Sequence, residues 1–349
     1  MIYNFNSGPA MLPPEVLQQA SEAVLHYKAH QSILEISHRS YLYEEILDEA
    51  KSLLKELCEL NDDFEILYLI GGASNLFAMI PMNFLTKNKS AAFVNTGYWS
   101  EKAIAATKYF SKVKIIASSE NRHYNYIPSF VTKNIDAEYL HITTNNTIEG
   151  TQWKNFEKFN IPLFADMSSD ILSRKINYNQ FDFIYASTHK NLGTAGSNIV
   201  LLKKNLLEKI NENVPAIFNF KNHVDAKSIY STPSVYAVFI SLLMLRWMKK
   251  QTLKNIFANN NLKAKMLYEA IDANPNFICE VEKEFRSQMN IVFKAKEKLL
   301  EEKFMHSAAS NEIINIAGHR TAGGFRASIY NAMPMAGVEK LAALIRNFN

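Results

Sequence analysis

Seven short apolar runs recur along the first 204 residues: "EILYLI" (65–70), "AAFVN" (91–95), "KVKIIA" (112–117), "YLHIT" (139–143), "PLFAD" (162–166), "FDFIYA" (181–186) and "SNIVLLKK" (197–204). Each has the length of a strand, and stretches with helical spacing, such as "LFAMIPMNFL", separate several of them. Runs this apolar predict strands covered on both faces, which is the signature of an α/β domain with a mainly parallel, seven-stranded sheet. After "STPSVY" the period lengthens to that of a long helix over 235–251, followed by the helical "LKNIFANNNLKAKMLYEAIDANP" and, from about Phe277, a mixed α+β region of short strands. The change of pattern near residue 250 divides the chain into a large domain over 15–250 and a small C-terminal domain over 251–349, with residues 1–14 as an arm packing on the small domain.

Composition narrows the class. With 48% hydrophobic and 12% aromatic residues among 349, the chain is globular and long enough for a large core and a second, smaller one. Its 38 basic and 34 acidic residues are scattered, so no basic stripe points to nucleic acid, while small anionic ligands stay open. Cys58 and Cys279 stand far apart without metal-ligand spacing, which excludes a disulfide framework and a zinc site and points to a reducing compartment. The N-terminus has no basic segment followed by an apolar one, and the apolar run 235–245 is too short to span a bilayer; the expected location is the cytoplasm, with no membrane partner and no metal.

In open α/β sheets ligands bind outside the carboxyl ends of the strands, so the residues ending each run carry the candidate chemistry. The first run leads into "GGASN", where backbone N–H groups at a helix start suit an anion; the plain alternative is a tight turn. The second leads to "NTGYWSEK", whose Trp99 is either core or a stacking surface. The fourth ends in Asn145, Asn146 and Thr147, the fifth in Asp166, and the sixth in "STHK", which places Lys190 just after a buried strand and before the small residues of "NLGTAG". A carboxylate and an amine in such positions are a buried ion pair or the machinery of one cofactor in particular. Pyridoxal phosphate needs a lysine amine to bind it covalently, a carboxylate to keep its ring nitrogen protonated, an aromatic to stack on, and an anion site for its phosphate.

The stretches "NFNSGPAMLP", "EISHRS", "GGAS", "GYWSEKA", "NNTIEG", "ADMSSDILSR", "HKNLGTAG", "STPSVYA" and "AGHRTAGGFRASIYNAMP" resemble the phosphoserine aminotransferases, fold-type I, class V pyridoxal-phosphate enzymes, from residue 4 to the C-terminus. The resemblance implies the fold-type I transferase fold and transamination of 3-phosphohydroxypyruvate with glutamate in serine biosynthesis, and it raises 4-phosphohydroxy-threonine of pyridoxine biosynthesis as a further substrate. It implies that Lys190 carries the cofactor and moves a proton, Asp166 pairs with the ring nitrogen, and Trp99 stacks on the ring. Thr147 would bond the phenolic oxygen, the backbone at Ala73 and Ser74 would hold the phosphate, and His189 would lie beside it. Ser231 and Thr232 would reach the same phosphate from the other subunit of a homodimer. Where many bacterial members carry glutamine, arginine and asparagine, this chain has His189, Ser74 and Ser231.

Substrates with an α-carboxylate and a distal anion call for separate cations, and arginine suits both. Two His-Arg pairs occur among only 8 arginines, His38-Arg39 and His319-Arg320. By resemblance they bind the phosphate or distal carboxylate, Arg326 takes the α-carboxylate, and Ser7 lies near the substrate. Singly, each arginine reads equally as a surface charge. The rival readings are another class V activity, either a cysteine desulfurase-like lyase, which would need a reactive thiol, or an alanine-type aminotransferase, and a non-catalytic protein that binds the cofactor.

Overall fold

Twelve strands and nine α-helices, joined by short 3-10 turns, occur among residues 1–131 and 133–349, which the computed structural model describes. The strands are β1 (Tyr3–Asn4), β2 (Phe64–Ile70), β3 (Ser90–Asn95), β4 (Lys112–Ser118), β5 (Leu140–Thr143), β6 (Leu163–Asp166), β7 (Phe183–Ser187), β8 (Ser197–Lys203), β9 (Phe277–Ile278), β10 (Asn290–Ala295), β11 (Ile313–Ile314) and β12 (Phe325–Ser328). The helices are α1 (Pro14–Leu25), α2 (Tyr41–Leu57), α3 (Ala73–Phe84), α4 (Tyr98–Thr107), α5 (Phe220–Asp225), α6 (Val235–Gln251), α7 (Leu253–Ala273), α8 (Lys298–Ser310) and α9 (Met335–Asn347).

The seven apolar runs become β2 to β8, one sheet in the order β2-β8-β7-β6-β5-β3-β4. Only β8 runs against its neighbours; the remaining pairs are parallel. Six strands therefore send their carboxyl ends to one edge, at Ile70, Asn95, Ser118, Thr143, Asp166 and Ser187. The two faces alternate residue by residue, as strand geometry requires. Ile66, Val94, Ile142, Ala165, Ile184 and Leu201 pack in one core cluster with α1, α2 and α6. Leu67, Phe93, Phe164, Phe183, Tyr185 and Val200 pack in another with α3 and α4. Burial of each large apolar side chain contributes roughly 1.5–3 kcal/mol, which is why the order of the runs is a strong constraint on the sheet.

One strand departs from the expectation of cover on both faces. The run at β4 lies at the edge of the sheet, and Lys112, Lys114 and Ile115 are exposed. Its two lysines stay hydrated, and charge on an edge strand discourages further strand pairing.

Between α6 and α7 the backbone turns at Thr252, which adopts φ 62° and accepts a hydrogen bond from the Asn255 N–H at 3.4 Å. Beyond it β10 pairs in antiparallel fashion with β9 and β12, and α7, α8 and α9 close a separate core around Phe277, Phe293, Phe304 and Phe325. The N-terminal segment joins this core: β1 pairs in parallel with β11, and Phe5 is buried among the same side chains. No helix among the described residues is long and apolar enough to cross a membrane.

Candidate active site

Lys190 lies in the turn after β7. That turn is fixed from within, because the Thr188 N–H donates to the Ser197 carbonyl at 3.1 Å and the Leu192 N–H to the Thr188 carbonyl at 3.1 Å. The lysine side chain is 8% exposed, and its Nζ donates to Thr147 Oγ1 at 3.2 Å. Burial pulls its pKa down to about 8; Asp166 acts in the opposite direction and Arg326 in the same one. An amine so held exchanges protons near neutral pH, as a covalent and acid–base catalyst must.

Asp166 ends β6, 6% exposed, with Oδ1 accepting from the Ser168 N–H at 2.9 Å. Burial pushes its carboxyl up, while the Lys190 cation and Ser168 pull it back. Tyr185 on β7 interacts with Asp166 through its hydroxyl, which in turn lies 2.9 Å from His141 Nε2 on β5. Burial lowers the His141 pKa to about 3, so the imidazole is neutral.

The helix starts on the same edge supply further groups. The Ala73 N–H at the start of α3 donates to Ser187 Oγ at 2.9 Å, and that hydroxyl donates to Asn198 Oδ1 at 2.8 Å; Ser74 is exposed beside it. Trp99 in the first turn of α4 packs on Phe77 and Tyr98 at centroid distances of 6.4 and 5.1 Å, with its indole Nε1 buried and unpaired. His189 packs beneath Gly8, whose φ is +143° and where a Cβ would come within 2.4 Å of the ring. Its carbonyl accepts from the Ala10 N–H at 3.0 Å. Burial and then Lys190 lower the His189 pKa to about 4, leaving a neutral ring. Ser7 joins through its carbonyl, which accepts from Tyr330 OH at 2.8 Å.

Arg326 on β12 brings the small sheet to this edge. Its Nε is buried without a partner, and its charge is felt by Lys190, by His319 and by Glu149. His319 Nδ1 lies 2.7 Å from Thr321 Oγ1, and its ring is 5.3 Å from that of Tyr98. Arg320 is exposed beside it. The structure thus gathers Lys190, Asp166, Thr147, Arg326 and His319, with Arg320 flanking. No hydrogen bond or ion pair among the described residues joins His38 or Arg39 to them, and Ser231 and Thr232 lie partly or fully exposed before α6. Cys279 follows β9 beside the second core, where burial raises its thiol pKa and keeps it protonated.

Sequence reading passed over three members. Glu149 accepts from the Tyr98 N–H at 2.8 Å, while its Oε2 is buried and unpaired; burial raises its pKa to about 7. Its signal was a carboxylate inside the "NNTIEG" stretch. Ser187 lies in "STHK" and Tyr330 in "GGFRASIYNAMP", but nothing in either stretch singles them out, because only the fold sets them beside Ala73 and Thr147.

The donor set fits pyridoxal phosphate: an amine and a carboxylate at adjacent strand ends, a hydroxyl beside the amine, an indole with an unpaired buried N–H, and the N-terminus of a 12-residue helix as phosphate cradle. The sequence profile of the aminotransferase class-V family matches residues 2–341. The phosphoserine aminotransferase of Bacillus subtilis strain 168 is 47% identical over 99% of this chain and 97% of its own length. Among solved structures, a phosphoserine aminotransferase from Bacillus circulans subsp. alkalophilus superposes with a TM-score of 0.96 at 37% identity, covering 100% of this chain and 98% of that one. A PLP-bound phosphoserine aminotransferase from Trichomonas vaginalis gives 0.94 at 32% identity, covering 99% and 100%. With the profile and these relatives all running the length of the chain, it belongs to the class V aminotransferases, in their phosphoserine aminotransferase family.

Proposed function

We propose that this chain transfers the amino group of L-glutamate to 3-phosphohydroxypyruvate, reversibly, giving O-phospho-L-serine and 2-oxoglutarate, with pyridoxal phosphate as cofactor. The observation that carries this reading is the buried Lys190 Nζ, 3.2 Å from Thr147 Oγ1 and within electrostatic reach of Asp166 and Arg326. When bound, the cofactor supplies a carbonyl for the amino group and a ring that takes up the electron pair released at Cα. Lys190 Nζ would hold the cofactor covalently until the substrate amino group displaces it, and as the freed amine it would take the proton from the substrate Cα. Asp166 would keep the ring nitrogen protonated, and Thr147 would donate to the phenolic oxygen. Trp99 would cover the ring, and the Ala73 and Ser74 N–H groups, with His189, would hold the phosphate. Arg326 takes the α-carboxylate near Ser7, while His319-Arg320 and His38-Arg39 take the distal phosphate or carboxylate.

Ser231, Thr232 and the His38-Arg39 pair lie outside the gathered site, which supports a homodimer in which Ser231 and Thr232 reach the partner's cofactor phosphate. We place the enzyme in the cytoplasm, with residues 1–14 as an arm, 15–250 as the cofactor domain and 251–349 as the small domain. The test is a set of half-reactions with phosphoserine, glutamate, serine and alanine. Arg320→Ala should weaken phosphoserine about 10-fold or more relative to alanine, since a charge-assisted bidentate contact contributes roughly 1.5–3 kcal/mol only to substrates that make it. Arg326→Ala should weaken all four alike. Equal losses for phosphoserine and alanine in Arg320→Ala would remove that residue from the site, and a wild-type preference for alanine would remove phosphoserine as substrate.

A further inference from the structure

Lys263 on α7 is a buried cation outside the site just described. It is 2% exposed, and among the described residues its hydrogen bonds go to backbone carbonyls and not to a carboxylate. Its Nζ instead donates into four backbone oxygens of one segment, those of Tyr330 at 3.0 Å, Ile329 at 3.2 Å, Met333 at 3.3 Å and Asn331 at 3.5 Å. A buried ammonium without a counter-ion is costly, and irregular backbone carbonyls without donors are costly too; here each offsets the other. Burial draws the lysine pKa down to about 7.

The segment it gathers touches the catalytic turn directly. The Asn331 N–H donates to Oδ1 of Asn191, the residue after Lys190, at 3.0 Å, and Asn331 Nδ2 donates to the Leu172 carbonyl at 2.9 Å. Tyr330 OH donates to the Ser7 carbonyl, and the same hydroxyl neighbours Thr147, the acceptor of Lys190 Nζ. Asn260, one turn before Lys263 on α7, donates to Asn331 Oδ1 and to the Ser173 carbonyl, both at 2.8 Å. We propose that Lys263 is a positioning residue for the amino-transfer reaction: by gathering the carbonyls of 329–333 it fixes Asn331 and Tyr330, and through them the turn that aims Lys190.

The catalytic part of this inference rests on the proposed function, so its test has a readout that does not. Hydrogen exchange of residues 188–196 and 329–333 is measured in wild type and in Lys263→Met, which keeps the volume and removes the donors. We expect faster exchange in both segments with α2 unchanged, and a fall in kcat for phosphoserine of about 10- to 100-fold with little change in KM, the cost of a misaimed catalytic group. Should the methionine protein not fold, Lys263→Gln, which keeps two donors on a shorter side chain, should show the same changes in exchange and kcat at smaller size. A cavity of about 460 Å³ lined by Lys263, Trp247, Asn331 and Met333 opens beside the amine, so butylammonium added to Lys263→Gly should restore both protection and kcat. Unchanged exchange at 188–196 in Lys263→Met, or no recovery with butylammonium, would reduce Lys263 to a packing residue. A wild type that fails to transaminate phosphoserine would overturn the proposed function while leaving the exchange result to stand on its own.

Discussion

Lys190 and Asp166 are the two side chains whose burial has no purely structural return, since they make no direct ion pair with each other and each has few neutral partners. Lys190→Ala should lose at least about 10²–10⁴ in turnover, the ordinary worth of a positioned acid–base group, with far-UV circular dichroism unchanged; a single-turnover rate with phosphoserine measures it. Asp166→Asn should lower the same rate by orders of magnitude, because an unprotonated ring nitrogen accepts the electron pair poorly. Glu149 gives a prediction in pH. Its carboxyl pKa is raised from 4.5 to about 7 by burial, so the folded state binds its proton more tightly than the unfolded state. The stability this contributes is fully present below about pH 4.5 and is lost as pH rises through about 7. Glu149→Gln keeps the acceptor for the Tyr98 N–H and removes the titration. Relative to wild type it should gain about 3 kcal/mol between pH 4 and pH 8 in urea unfolding, and a difference that does not change with pH would contradict the assignment.

At the scale of elements, the first turn of α4 shows how one residue type sets a geometry. Gly97 has φ +152°, and a Cβ there would come within 2.4–2.7 Å of the Glu149 carboxyl group. The carboxyl can therefore reach the Tyr98 N–H at the helix start, where negative charge is favoured. Gly97→Ala should cost about 1–3 kcal/mol in denaturant unfolding through strain and loss of that contact, and should weaken cofactor retention by moving Trp99. The strands themselves were legible. All seven runs appear in the large sheet, because five to eight mostly apolar residues between turns favour a strand that packs in a sheet. The exposure of β4 was not legible, since an edge strand and a central one can carry the same Val-Ile pattern, and only sheet order tells them apart.

For the whole molecule the joint between the two cores is polar and buried. Asn145 Nδ2 donates to Asn290 Oδ1 and to Ser169 Oγ, both at 2.8 Å, and Asn290 Nδ2 donates to Ser328 Oγ at 2.9 Å. Such a network holds one arrangement firmly when every member is satisfied. Asn290→Ala should cost about 1–3 kcal/mol by leaving buried partners unsatisfied, and it should lower kcat more than the denaturation midpoint alone would suggest, because β12 carries Arg326. Equal unfolding curves for the two proteins would show that water replaces the asparagine without loss.

Much of the candidate site was also readable from the chain, for a definite reason. Residues that end apolar runs in a parallel sheet must meet at one edge, so Gly71, Trp99, Thr147, Asp166 and Lys190 could be grouped before their contacts were seen. Sequence by itself determined the strand set, the long helix at 235–251 and the type of chemistry at the strand ends. Only the tertiary structure decided what depends on long-range approach: that Arg326 and Tyr330 arrive from β12 and the turn after it, that Glu149 turns back to cap α4, and that Lys263 collects the carbonyls of 329–333. None of these contacts has a period or a spacing along the chain, because each joins segments whose separation is set by packing between cores and not by the geometry of a single element.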